Sequence, residues 1–224
     1  MTFNISRKLI AVLSILLTMT ACASRSPSQT DYTAFRNSKP RSILVLPPVN
    51  DSNDVGTTYG MLSQMTMPLA EGGYYVVPVA EMEETFRHNG LTTANDIQDV
   101  SAAKLRSIFG ADAALYTKIT AYGSSYQVVA STTQVTAAAK LVDLRSGETL
   151  WSGSATANGK EVGTNVSVGS GLIGALAQAA VTHVVNVTSD KSWAVAGLTS
   201  QRLLATGGSN GLLYGPRSPK YGTD

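Results

Sequence analysis

A basic pair, Arg7 and Lys8, runs straight into an uncharged apolar stretch at residues 9–17, and five residues later the chain reaches Cys22. That layout is a secretory signal. The stretch is far short of the ~20 apolar residues that span a bilayer. Cys22 is the only cysteine of 224 residues, so no internal disulfide can form, and a lone thiol sent into an oxidising compartment is a liability. Met19-Thr20-Ala21-Cys22 reads as a lipobox, with Met19 where leucine is usual and small residues before the cut. Residues 1–21 are then discarded, and acylation of Cys22 removes the thiol. Each buried methylene contributes about 0.8 kcal/mol, and stable anchoring takes two or more acyl chains. Ala23, not aspartate, follows Cys22. By analogy with enterobacterial sorting, this directs the chain to the outer membrane, on its periplasmic face.

Cleavage also changes the charge. The signal holds two of the 17 basic residues and none of the 15 acidic ones, so the mature chain is formally neutral. A basic nucleic-acid surface is not supported. Only 14% of the chain is charged, below the usual quarter, which suits a protein that packs against partners or copies of itself.

Residues 22–41 read as the lipidated cysteine and a polar, flexible tether, with Pro27 and Pro40 opposing helix and with Tyr32 and Phe35 able to dock on the domain. Residues 42–205 read as one α/β domain. Ile43-Leu44-Val45-Leu46 is a buried strand closed by Pro47-Pro48. Ser52, Asn53 or Asp54 offers an N-cap to a helix reaching Glu71, which Pro68 is expected to kink or end. Tyr74 to Val77 is a second strand, residues 79–88 a helix and residues 92–99 a connection. Ser101 caps a short helix to Phe109. β texture follows at residues 114–120 and 126–144, and Ser146-Gly147 signals a tight hairpin turn into a return strand at residues 149–157. Helices are expected at residues 172–187 and 192–204, and an irregular Gly/Pro-rich tail at residues 206–224. The order predicts a mixed sheet with a right-handed parallel βαβ start, an antiparallel meander and helices packed on the sheet.

Sites for chemistry find little support. Gly169-Ser170-Gly171-Leu172-Ile173-Gly174 matches GxGxxG, but a polar segment precedes it and no strand follows the helix where a ribose-binding acid would sit. It reads as a loop entering a core helix. His88 and His183 are far apart and accompany no metal-ligand spacing. Glu81, Glu83 and Glu84 beside Arg87 read as a solvated helix face. No serine sits in a nucleophile motif. Neither a catalytic set nor a cofactor or metal is expected.

Read with the lipobox upstream, Ser42-Ile43-Leu44-Val45-Leu46-Pro47-Pro48-Val49-Asn50 resembles the outer-membrane lipoproteins typified by a meningococcal genome-derived vaccine antigen, often encoded beside relatives of the curli secretion lipoprotein. The likeness continues through residues 31–35, 143–151 and 211–216. It implies an α/β domain similar to the amino-terminal domain of TolB and to curli-pore-like and penicillin-binding-protein-activating lipoproteins, which act through protein–protein contacts at the envelope. It supplies no reaction and no catalytic residues. Pro47, Pro48 and Asn50 match the family motif and are expected to shape the strand-to-helix turn.

The expected function is a non-enzymatic, lipid-anchored adaptor for envelope assembly or secretion. Its expected partners are the membrane, envelope proteins such as curli-secretion-type lipoproteins, and further copies of itself. Two rivals stand beside it. One is a subunit of an oligomeric curli-type channel, suggested by the Thr/Val/Ala-rich residues 126–144, although neither side of that segment gives the apolar band a barrel needs. The other is a nucleotide-binding enzyme.

Overall fold

The computed structural model describes residues 30–52, 57–127, 130–162 and 191–224. The expected signal, Cys22 and the expected lipobox, the GxGxxG run, the expected helix at residues 172–187 and His183 lie outside them.

Ser42–Val45 forms β1, every residue from Ile43 to Leu46 being buried, as an apolar run covered on both faces must be. Proline has no N–H for a sheet ladder, and Pro47-Pro48 splits the strand. Val49–Asn50 forms a separate β2. Both pieces run parallel to β4 (Ala113–Gln127). From Val45 to Val49 the chain advances four residues while β4, from Leu115 to Lys118, advances three, so the diproline inserts a one-residue bulge.

Helix α2 (Thr57–Glu71) then crosses to β3 (Tyr75–Val76), parallel to β1 on the side away from β4. Helices α3 (Val79–His88), α4 (Ala94–Gln98) and α5 (Ala102–Phe109) cross back to β4. The two crossovers travel in opposite directions across the sheet, and right-handedness puts them on opposite faces. Strands β5 (Ala130–Asp143) and β6 (Thr149–Asn158) complete an antiparallel meander, giving the order β3-β1-β4-β5-β6 with β2 beside β4. Helix α6 (Lys191–Leu203) packs on β4, β5 and β6 beside α2.

Among the described residues there are therefore three layers over β3-β1-β4 and two over β5-β6. On β6 the two-layer half shows in the pattern: Ser152, Ser154 and Thr156 are exposed, while Trp151 and Ala157 are buried. The open face of β4-β5-β6 is a shallow groove of about 680 Å³ bordered by Tyr116, Lys118, Lys140 and Ser154.

Several expectations change. Pro68 lies inside α2, and the helix runs on to Glu71. Residues 94–98, expected as connection, are helical, with the Thr93 side chain accepting from the Asp96 N–H. The β5–β6 loop is longer than a two-residue turn: Asp143 and Glu148 still share a main-chain bond (2.9 Å), and Gly147 adopts φ +76. Within the segment read as tether, Thr33–Ser38 forms a helix, α1.

Candidate interaction surfaces

Helix α1 is docked on the body of the domain. Phe35, 3% exposed, enters the main core. Ahead of the helix, Thr30 donates to the Asn210 side chain from N (3.2 Å) and Oγ1 (3.0 Å), and the Tyr32 hydroxyl donates to the Gly211 carbonyl (2.6 Å). At its far end the Ser38 hydroxyl donates to Asp143 Oδ2 (2.5 Å). Arg145 grips the same carboxylate through its main-chain N–H (2.6 Å) and Nη2 (2.9 Å), and reaches the Ser38 carbonyl (2.6 Å). Burial pushes the Asp143 pKa up, but the bonds from Arg145, Ser38 and Ser146 outweigh it and hold the carboxyl well below the usual range. A hydrogen-bonded carboxylate behaves this way.

The C-terminal tail lies against α1. The Tyr74 hydroxyl donates to the Leu213 carbonyl (2.5 Å), and burial raises its pKa. Gly215 and Arg217 donate main-chain bonds to Gly72 and Gly73. Between α1 and the tail lies a cavity of about 340 Å³ with Phe35, Pro40, Tyr74 and Leu213 among its walls and with Arg36 and Lys39 lining it too. Lys39 is the only non-glycine residue with positive φ (+49) among the described residues.

A second surface is the outer side of the α2–α6 layer. Helix α2 has one charged residue, Glu71 at its end, and α6 has two, Lys191 and Arg202, near its ends. Between them, among the described residues of the two helices, the outer side is uncharged yet carries large groups: Tyr59 (61% exposed), Met67 (55%) and Trp193 (54%). Small residues let the helices close up, and a Cβ at Gly197 would sit 3.1 Å from Gln64 Oε1. No single motif announces this face. Its signal in the sequence was charge depletion along two amphipathic helices.

Pro47 and Pro48, expected as part of a family motif, sit where the two crossovers meet the sheet. The carbonyls they leave free of the ladder are both taken: Pro47 by Gln98 Nε2 of α4 (2.8 Å), Pro48 by Thr58 Oγ1 of α2 (3.1 Å). Asn50 Oδ1 accepts from the N–H (2.8 Å) and hydroxyl (2.6 Å) of Ser52. The motif thus pins α2 and α4 to the sheet. Glu84 pairs with Arg87 and His88 on the exposed side of α3, and its pKa is lowered by their hydrogen bonds. Glu81 is exposed beside them. Among the described residues no group of three His, Cys, Asp or Glu side chains could hold a metal, and no helix is long and apolar enough to cross a membrane.

Comparison with known proteins places this geometry. A family model described as "Putative lipoprotein GNA1162-like" matches residues 30–217. The chain is 47% identical over 211 residues to "Putative lipoprotein NMB1124/NMB1162" of Neisseria meningitidis serogroup B, covering 94% of this chain and 96% of that protein. The crystal structure of lipoprotein GNA1162 from Neisseria meningitidis superposes with a TM-score of 0.52 at 50% identity, covering 66% of this chain and 99% of that one. Likeness to TolB from Acinetobacter baumannii is fainter, with a TM-score of 0.30 at 14% identity over 51% of this chain and 22% of that one. A family match reaching from the foot of α1 to the tail, with a near-full-length relative at this identity, is decisive: the chain belongs to the GNA1162-like lipoprotein family.

Proposed function

We propose that the mature chain is held in the outer membrane, on its periplasmic face, by lipid on Cys22 and acts as a non-enzymatic adaptor for envelope assembly or secretion. The α2–α6 face would receive its protein partner. The observation that carries this reading is the combination of Trp193, Tyr59 and Met67 on an otherwise uncharged outer surface. Interface cores are depleted of charge and enriched in Trp, Tyr and Met, and such side chains dominate binding energy. Family membership supports the anchor.

Two variants test it. Cys22→Ser should leave the domain folded but found detached or as uncleaved precursor; a cleaved, membrane-held product would sink the anchor. A photo-crosslinker at Ser63 of the native protein, read by mass spectrometry in intact cells, should give a protein adduct that Trp193→Asp abolishes without lowering the Tm. No adduct, or one indifferent to Trp193, would overturn the docking face.

A second reading, a subunit of an oligomeric curli-type channel, draws on the β4–β5 hairpin. It continues for four pairs beyond the last pair with β6, from Ser124↔Thr133 to Gln127↔Ala130, and residues 119–139 carry no charge. Conductance from purified oligomer in a planar bilayer would favour it over the adaptor.

A further inference from the structure

We infer that the end of the domain formed by α1 and the tail lies against an anionic phospholipid surface. The inference rests on the anchor at Cys22. Three observations converge on it.

The first is reach. The chain outside the structure on this side ends at Thr30, which is fastened to Asn210. Between Cys22 and Thr30 lie eight residue steps, about 27 Å when fully extended. A tether running to residue 41 would have left the domain free to tumble. One that stops at Thr30 keeps this end nearest the bilayer.

The second is charge. Residues 30–41 and 214–224 hold five basic side chains (Arg36, Lys39, Arg41, Arg217 and Lys220) against Asp31 and Asp224, in a mature chain that is neutral as a whole. Asp224 lies among them, its Oδ2 accepting from the Tyr214 N–H (2.6 Å) and its main-chain oxygen from Arg36 (3.3 Å). Other acids approach this end of the sheet. Asp143 is matched by Arg145, and Asp112 lies 4.0 Å from Arg106. Glu71 and Glu148 are exposed, so by side chains alone five bases stand against four acids.

The third is side-chain type. Tyr75 and Tyr221 are 45% and 48% exposed here. Arg217 lies over the Tyr75 ring (5.3 Å), Lys220 over Tyr214 (5.6 Å) and Arg36 over Tyr32 (5.9 Å). Tyrosine with Lys and Arg is the composition of the headgroup zone, where amphipathic rings settle, and basic residues near an anionic surface are drawn to it.

The experiment is amine footprinting of the native lipidated protein, reconstituted in vesicles of phosphatidylglycerol and phosphatidylcholine or of phosphatidylcholine alone. Acetylation of Lys39 and Lys220 should slow at least five-fold in the anionic vesicles, while Lys104 and Lys160 are unchanged. Raising the salt to 0.5 M should restore labelling, because screening then acts within a few ångströms. Equal labelling of all four lysines in both vesicle types overturns the inference. A second arm separates this from failure of the anchor: Cys22→Ser protein should co-sediment weakly with the anionic vesicles at low salt, and K39E/K220E should not. If the native protein fails to reconstitute but Cys22→Ser protein co-sediments, the anchor is wrong and the lipid-facing end stands. If it reconstitutes without protection, the lipid-facing end alone falls.

Discussion

Asp143 ties together parts of the chain more than a hundred residues apart. Its side chain is 5% exposed, and a buried carboxylate without donors would cost several kcal/mol; here Ser38 and Arg145 supply them. Asp143→Asn keeps the shape and removes the charge, so equilibrium unfolding should show a loss of about 2 kcal/mol. The pH dependence follows from the direction of the shift. The folded pKa lies below the ordinary unfolded value of about 3.9, so the stabilisation is complete above that value and drains away as the pH falls below it. Urea midpoints at pH 3 and pH 7 should therefore differ less in Asp143→Asn than in the native protein. At this scale the sequence was partly legible. Asp143 was visible as the start of a hairpin, but its partner Ser38 lies in a segment that composition marks as tether.

Among the elements, α1 shows why. Its six residues have weak helical preference and one large apolar group, Phe35, to bury, with Tyr32 just ahead of them, and the surface that receives the two is built from the core and the tail near residue 210. Local pattern cannot see a partner so remote, and isolated helices this short do not persist in water. Phe35→Ala should cost about 3 kcal/mol and open residues 30–41 to limited proteolysis while α2–α6 stays protected. The elements that were legible carry their own evidence. The continuous apolar run of β1, closed by Pro47-Pro48, and the Ser146-Gly147 turn into β6 are written in neighbouring residues. Helix α4 was missed because Thr93 and Asp96 serve equally well in a turn. The uncharged face of α2 and α6 could be read only once the fold had set the two helices side by side.

For the molecule as a whole, the layers divide the labour. Among the described residues, the half with three layers holds the fully buried strand β1, while the half with two layers leaves one sheet face open. One end of the chain's course gathers the tether, α1 and the tail, and Trp193 stands on the outer side of the helix layer. The dock of α1 also has a mechanical meaning. Tension on the lipid enters at Thr30 and meets the bonds to Asn210, Gly211 and Asp143 one after another, so α1 peels before any sheet ladder bears load. Pulling in optical tweezers should show a short step at low force, adding about 40 Å of contour, ahead of the main unfolding event, and Phe35→Ala should abolish that step. With the lipid on Cys22, that release would lengthen the link between membrane and domain by those ~40 Å and let it give way under strain without unfolding what it holds.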